Sequence, residues 1–358
     1  MLSYEGRNRH AENMLRTIQF DNPEWTPCSV GFLPATWMKH REALEDVCLA
    51  HPRVFRGFKK GGRDFEDMWG QEQFELGRHT DCWGVVWDNI ERGVAAHVKS
   101  GPLEDWSAFE SWTPPDPMTQ KGFGGQPDWD EVRERLDAAK ARGRIATAYP
   151  VPHGFMYMTL TYLRGFGNYL CDIAVDDLRI RKLTSIVEDY MVAVTRKYLG
   201  LGVEYLHFGE DLGLQTALPM SPEMWRQWVK PSYEAIMGPC RDADVPVYLH
   251  TDGHVLEIIP DLIDVGVRVL NPQIGANGLD GLEEMAKGKV AIHLDLDRQM
   301  FPFVTPSEIE DHVGEAFERL YDKRGGLMLL AECGPDVPLE NIHAICRSYE
   351  RLCNLPEA

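Results

Sequence analysis

A parallel α/β barrel is the fold this sequence predicts, and three observations predict it. The C-terminal half alternates apolar runs of about five residues with amphipathic runs of about ten or more, the rhythm of strand and helix units in a parallel sheet. Two apolar runs, Val247–Gly253 and Leu330–Gly334, carry a metal-capable residue and then a glycine at their ends. A buried strand that delivers a side chain to the mouth of a barrel has this form. No Gly-x-Gly-x-x-Gly follows the first strand, which counts against a dinucleotide-binding doubly wound sheet. So many units in one run predict a closed (β/α)8 TIM-type barrel, with residues 1–358 as a single domain.

Glu5 to Ile18 reads as a polar, amphipathic first helix, and Pro27 to Phe32 as the first strand. Glu42 to Ala50 is a helix stopped before His51-Pro52, because a proline disfavours helical backbone in the residue before it. From Gly57 to Pro117 glycine and aromatic residues dominate. Asp81–Trp87 followed by Val94–Val98 predicts a short antiparallel hairpin, so 57–117 is read as an insertion capping one end of the barrel. Met118 to Pro127 is a loop, and Trp129 to Arg142 a charged helix leading into the strand Ile145–Tyr149. The regular units then follow. A helix over Asp176–Tyr198 precedes the strand Glu204–Phe208, and one containing Pro222–Ile236 precedes Val245–His250. Helices at Val255–Ile263 and Leu279–Ala286 precede strands at Val267–Asn271 and Val290–Leu294. Pro306–Tyr321 leads to Leu327–Ala331, and the helix Leu339–Leu352 follows.

Composition narrows the function. A net charge of −19 excludes a nucleic-acid partner, whose phosphates demand a basic footprint. No apolar run approaches the ~20 residues that span a bilayer, and the first residues are too polar for a signal peptide, so no membrane association is expected. The eight cysteines show no Cys-x-x-Cys pair, which predicts reduced thiols in a cytoplasmic enzyme.

The chemistry is expected at the strand ends. His250 follows an apolar strand and precedes Thr251-Asp252-Gly253, while Cys333 ends another. A lone histidine there is as often a satisfied core residue, and a lone cysteine is more often a small buried hydrophobe. The pair at equivalent strand ends is what predicts a zinc half-site, with Glu210 or Asp211 offering a third ligand. In His293–Asp297 the alternation puts His293, Asp295 and Asp297 on one face. Asp297 reads as a helix cap or a partner of Arg298. His293 and Asp295 are candidates for the catalytic acid. Trp83, His153, Phe155, Met156, Met158 and Phe208 are candidates for a substrate pocket, although ordinary packing explains them equally well.

At this point the sequence resembles the uroporphyrinogen decarboxylase superfamily over about residues 145–352. The resemblance rests on His250–Gly253, Asp264–Pro272, Ile292–Asp297, Gly325–Leu327 and Val337–Ile342, with Pro23–Pro27 and Asp81–Gly84 in the N-terminal part. Cofactor-free decarboxylases of this superfamily hold their polycarboxylate substrate with an arginine-rich N-terminal motif. The matching stretch Gly31–His40 has no arginine. The resemblance therefore implies the zinc- and corrinoid-dependent methyltransferase branch, whose thiol-methylating members bind zinc through a His-x-Cys strand end and a late cysteine. His250 and Cys333 match two of those positions, and Asp252 replaces the first cysteine.

A more oxygen-rich zinc site is harder and suits an ether oxygen. The expected activity is transfer of a methyl group from a methoxylated, aromatic small molecule to cob(I)alamin. His250, Cys333, Glu210 and Asp252 are the expected zinc ligands. The Asp-x-His-x-x-Gly pattern of corrinoid domains is absent, so a separate corrinoid protein is the expected partner. A homodimer is compatible with this reading. The alternatives are a metal-free decarboxylase of the same fold and a non-catalytic binding protein on that scaffold.

Overall fold

The computed structural model describes residues 2–120, 123–125 and 127–357, so Lys121, Gly122 and Gln126 of the expected 118–127 loop lie outside the described residues. Its strands are β1 (Cys28–Phe32), β2 (Gly77–Thr80), β3 (Val86–Asn89), β4 (His97–Ser100), β5 (Thr147–Ala148), β6 (Tyr205–Glu210), β7 (Val247–Thr251), β8 (Val267–Pro272), β9 (Ala291–Asp295) and β10 (Leu327–Cys333). Seven of them form one parallel sheet in the order β1-β10-β9-β8-β7-β6-β5, while β2-β3-β4 form a separate antiparallel sheet. The fold is α/β, a curled parallel sheet of TIM-barrel type wrapped by helices.

The expectation of a full ring of eight strands is corrected in one respect. Among the described residues no strand pairs with the outer edges of β1 and β5. The chain between them, where a second barrel strand would run, instead builds β2–β4. The hairpin expected there exists as β3 and β4, but Asp81–Val85 lies before it, in the turn that joins β2 to β3. The Asp81 carboxylate accepts from the N–H groups of Trp83 and Val85, both at 2.9 Å.

Alternation along each strand sorts the residues into two layers. Leu206, Phe208, Leu249, Leu270, Ile292, Leu294, Leu329 and Ala331 face the helices and join the main core. Tyr205, Val269, Ala291 and Met328 form a second cluster inside the curl together with Ile18. With a period of two, the inward set continues through His207, Gly209 and Asp211 on β6 and just beyond it. On the other strands it continues through Tyr248, His250 and Asp252, through Asn271, through His293 and Asp295, and through Leu330 and Glu332. Ile18 belongs to the helix Arg9–Ile18, whose N-cap Asn8 side chain accepts from the N–H groups of His10 and Ala11. That helix covers the amino ends of the strands, and Arg7 fastens its approach by pairing with both oxygens of Glu204 at 2.7 and 2.8 Å. The opposite, carboxyl end is left for chemistry.

Two helices, Tyr157–Arg164 and Phe166–Ala174, lie between the expected strand Ile145–Tyr149 and the expected helix Asp176–Tyr198, where no element was expected. They meet at Gly165, whose φ of 83° no other residue adopts without strain, and neither has a capping side chain to announce it.

Candidate metal centre and pocket

Three side chains converge at the carboxyl ends of β6 and β7. One donor atom each from His153, Asp211 and His250 lie within 4.8 Å of one another. Asp211 and His250 come from the inward layer. His153 arrives from the loop after β5 and is held there by backbone, since the Gly154 N–H donates to the Gly209 carbonyl at 2.7 Å. Gly209 is what admits it. A Cβ at that inward position would stand 2.8 Å from His153 Nδ1. His153 Nε2 lies 3.0 Å from Asp211 Oδ1, and the two imidazole rings are 5.4 Å apart.

The tautomer of His250 follows from its neighbours. The Asn271 amide nitrogen donates to the His293 carbonyl, so Asn271 Oδ1 faces His250 Nδ1, at 2.7 Å. Nδ1 therefore carries the proton donated to that oxygen, and Nε2 is turned toward the cluster. A second partner that fixes ring and tautomer in this way is the usual companion of a ligating histidine. Asp252 Oδ1 stands 3.2 Å from Nε2 and has no hydrogen-bond partner, whereas Asp252 Oδ2 takes Arg298 at 2.6 Å. Burial works against a charge on His250, but the contact with Asp252 outweighs it and pushes the pKa up to about 9. Burial likewise opposes ionisation of Asp252, and His250 with Arg298 holds its pKa below the usual value. The donors present are imidazole and carboxylate. They fit a borderline divalent ion such as zinc, with Lewis acidity as the chemistry it would supply.

The structure corrects several sequence assignments, and alternation is the reason for most. Glu210 points outward, away from the cluster. Its fully buried carboxylate accepts from the N–H groups of Met156 and Met158 at 2.7 and 2.8 Å and from the Tyr233 hydroxyl. It secures the loop that carries His153, and its neighbour Asp211 is the residue at the site. Cys333 also faces the helices, fully buried in the main core, with its thiol pushed up by burial. Glu332, one position earlier, is the inward residue and binds Arg298 at 2.9 Å. The spacing of apolar residues could have found both, because two adjacent strand residues cannot share a face.

His293 stands beside Asn271, which separates it from His250. Its Nδ1 is 3.1 Å from the Tyr248 hydroxyl, and burial lowers its pKa to about 4, so it is neutral and supports Asn271 rather than donating a proton. Asp295 ends β9 on the inward layer. It is 1% exposed, its Oδ1 has no partner, and burial raises its pKa to about 7.

A pocket open to solvent begins at His153 and is walled by Trp83, Trp87, Phe123, Tyr162 and Tyr190. Asp81 orients that wall by accepting from Trp87 Nε1 at 2.9 Å. Of the sequence candidates, Trp83 and His153 line it. Met158 connects wall to floor, its sulfur accepting from the Asp211 N–H at 2.9 Å and lying 3.6 Å from the Tyr162 hydroxyl. Phe155 touches the pocket but is fully buried between Phe208 and Tyr233, with ring centres 4.8 and 5.0 Å away. Met156 and Phe208 are core residues, because both point to the helix layer. Trp87, Tyr162 and Tyr190 were not singled out from the sequence. They sit on three separate elements, and no local pattern links them.

A family model described as uroporphyrinogen decarboxylase (URO-D) matches residues 138–352, more than half of the chain. The chain belongs to the uroporphyrinogen decarboxylase family. Among solved structures, this URO-D family member is similar to a methyltransferase from Methanosarcina mazei at 15% identity and a TM-score of 0.61, covering 95% of this chain and 98% of that one. Partial likenesses extend to a B12-independent methionine synthase from Shewanella sp. W3-18-1 (13% identity, TM-score 0.34, 48% of this chain and 56% of that one). A dihydropteroate synthase from Xanthomonas albilineans matches at 20% identity and a TM-score of 0.27, over 39% of this chain and 52% of that one. No curated protein matches the chain. No described helix is long and apolar enough to cross a membrane.

Proposed function

We propose that this URO-D family member is a methyltransferase that takes a methyl group from a methoxylated aromatic molecule and passes it to the Co(I) of a corrinoid on a separate protein. The observation that carries the reading is that His153, one of the three clustered donors His153, Asp211 and His250, also lines a pocket walled by aromatic rings. Zinc held there supplies Lewis acidity toward the ether oxygen. Trp83, Trp87, Tyr162 and Tyr190 bury the faces and edges of the donor ring and set its methoxy group toward His153. The methyl carbon leaves oxygen for cobalt, the C–O electron pair stays on oxygen, and the resulting phenolate takes up one proton. Asp295, buried and poised near neutrality, is the group that supplies it. Within residues 57–117, Trp83 and Trp87 supply one side of that wall.

The M. mazei protein of the same fold is a methyltransferase, in keeping with this reading. A decarboxylase acting on a polycarboxylate fits the mouth less well, because Arg298 is already held between Asp252, Glu332 and Asp295. The test is turnover of a panel of methoxyarenes by the zinc-loaded protein with a Co(I) corrinoid protein, followed by phenol release and the corrinoid spectrum. Release of the free phenol with methylation of cobalt, abolished in His153→Ala and His250→Ala, is the expected result. Turnover of a simple thiol in place of every methoxyarene overturns the substrate assignment. Zinc-independent loss of CO2 from a carboxylic acid overturns the class.

A further inference from the structure

We propose that Arg298 is a positioning residue that holds Asp252 as a fourth, monodentate donor beside His153, Asp211 and His250, so that the centre is built from nitrogen and oxygen alone. The inference rests on the metal-dependent reading above and adds how the site is set.

Arg298 stands at the start of the loop after β9, 28% exposed, and joins three strand ends. Nη2 donates to Asp252 Oδ2 beyond β7 at 2.6 Å, and Nη1 donates to Glu332 on β10 at 2.9 Å. Nε lies 3.8 Å from Asp295 on β9. A guanidinium presents its donors in a rigid plane, so two anchors on β9 and β10 fix the direction of the third contact. That contact engages one oxygen of Asp252 and leaves the other, Oδ1, 3.2 Å from His250 Nε2 with no hydrogen-bond partner. A carboxylate oxygen that meets a ring nitrogen only through an ion pair at 3.2 Å, while its twin is held by Arg298, can exchange that pair for a third atom shared with the nitrogen. Two further features keep it in place. Gly253 follows with φ of 81°, and a Cβ there would fall 2.1 Å from the Gly213 carbonyl, so the turn after Asp252 closes against the loop after β6. The Gly213 N–H donates to the Asp252 carbonyl at 3.2 Å across that junction.

Arg298 also balances the charge of the mouth. Asp211, Asp252, Asp295 and Glu332 are four carboxylates on the inward layer, and Arg298 is paired with three of them. Without it, Asp252 would be free to turn its second oxygen into the cluster or to swing away toward solvent.

The experiment measures metal binding, not turnover. Zinc affinity is determined by chelator competition, and the ligand-field spectrum is recorded after Co(II) substitution. The proteins are wild type, Arg298→Gln, Arg298→Lys, Glu332→Gln, Asp252→Asn and the double variant Asp252→Asn/Arg298→Gln. Arg298→Gln is expected to weaken zinc binding roughly ten- to hundredfold, the usual loss on removing an outer partner of a ligand, and to alter the Co(II) spectrum. Lysine restores part of the loss, and Glu332→Gln falls between wild type and Arg298→Gln. The double variant loses no more than Asp252→Asn alone, because Arg298 acts only through Asp252. No spectrum shows a sulfur-to-cobalt charge-transfer band.

Wild-type affinity and an unchanged spectrum in Arg298→Gln overturn the proposal, as does simple addition of the two losses in the double variant. Glu332→Gln keeps the test sound if Arg298→Gln fails to fold, and wild-type affinity in Glu332→Gln then overturns it. If the wild-type protein binds no metal, the metal-dependent reading falls together with this one. If it binds metal and only the Arg298 results fail, that reading stands.

Discussion

Replacing Glu210 by glutamine or alanine separates a structural carboxylate from a metal ligand. Glutamine keeps an oxygen for the Met156 and Met158 amides and changes only the Tyr233 contact. At acid pH its expected cost is about 1 kcal/mol, the net worth of one hydrogen bond. Alanine strands two buried amides and a buried hydroxyl at about 1–3 kcal/mol each. The sum, about 3–9 kcal/mol, is a large share of the ~5–15 kcal/mol that keeps a domain folded. The pH dependence gives the sharper signal. Burial raises the Glu210 pKa from its ordinary 4.5 to about 7. A folded value above the unfolded one means that the stabilising proton is fully in place below pH ~4.5, and that its contribution is lost as pH rises through about 7. Glutamine cannot titrate, so it should be slightly less stable than wild type at pH 5 and as stable or more stable at pH 8. The assay is urea unfolding of both proteins across that range, together with zinc content by elemental analysis, which should match wild type in Glu210→Gln. Loss of zinc at unchanged stability would show that Glu210 is a ligand and refute the reasoning. A stability difference independent of pH would refute the buried-carboxylate account.

Cys333→Ser should keep its zinc and cost about 1–3 kcal/mol, since a hydroxyl replaces a thiol among apolar core neighbours; elemental analysis and thermal melting check both halves. Zinc affinity should climb by roughly tenfold per pH unit and level off above pH about 9, because binding displaces the His250 proton. Competition titrations in buffers of constant ionic strength read that slope, and a flat profile would remove His250 from the ligand set. Trp87→Ala should raise KM for a methoxyarene several-fold with a smaller change in kcat, as expected of a wall that binds ring rather than reacting atoms; an equal fall in kcat at unchanged KM would contradict it.

The barrel was legible because each strand from β6 to β10 is a compact apolar run with a helix before it that announces its own ends, as Thr305 and Glu308 do with a reciprocal capping box. The strand-end rule also placed His250, Asp252 and Asp295 at the carboxyl ends of β7 and β9, where the structure has them. What it lacked was parity. Glu210-Asp211 and Glu332-Cys333 are adjacent polar pairs, and only the register of the whole sheet says which member faces inward. Once Tyr248 and Met328 are known to point into the curl, Asp211 and Glu332 follow by counting in twos. His153 was visible as a residue but not as a partner of His250. It reaches the cluster through a loop contact with Gly209, 56 residues along the chain, and nothing local encodes that meeting.

Trp83 and Trp87 belong to the antiparallel sheet and its turn, which form no ladder with the barrel, while His153, Asp211, His250 and Asp252 belong to the barrel and its strand-end loops. One side of the pocket wall is thus encoded on a stretch separate from the donor cluster, while Tyr162 and Tyr190 complete it from the helices around the barrel. On the function proposed above, a library confined to the 73–100 stretch would vary Trp83 and Trp87 while leaving His153, Asp211, His250 and Asp252 untouched, so a single zinc titration would check each variant before any substrate is tried.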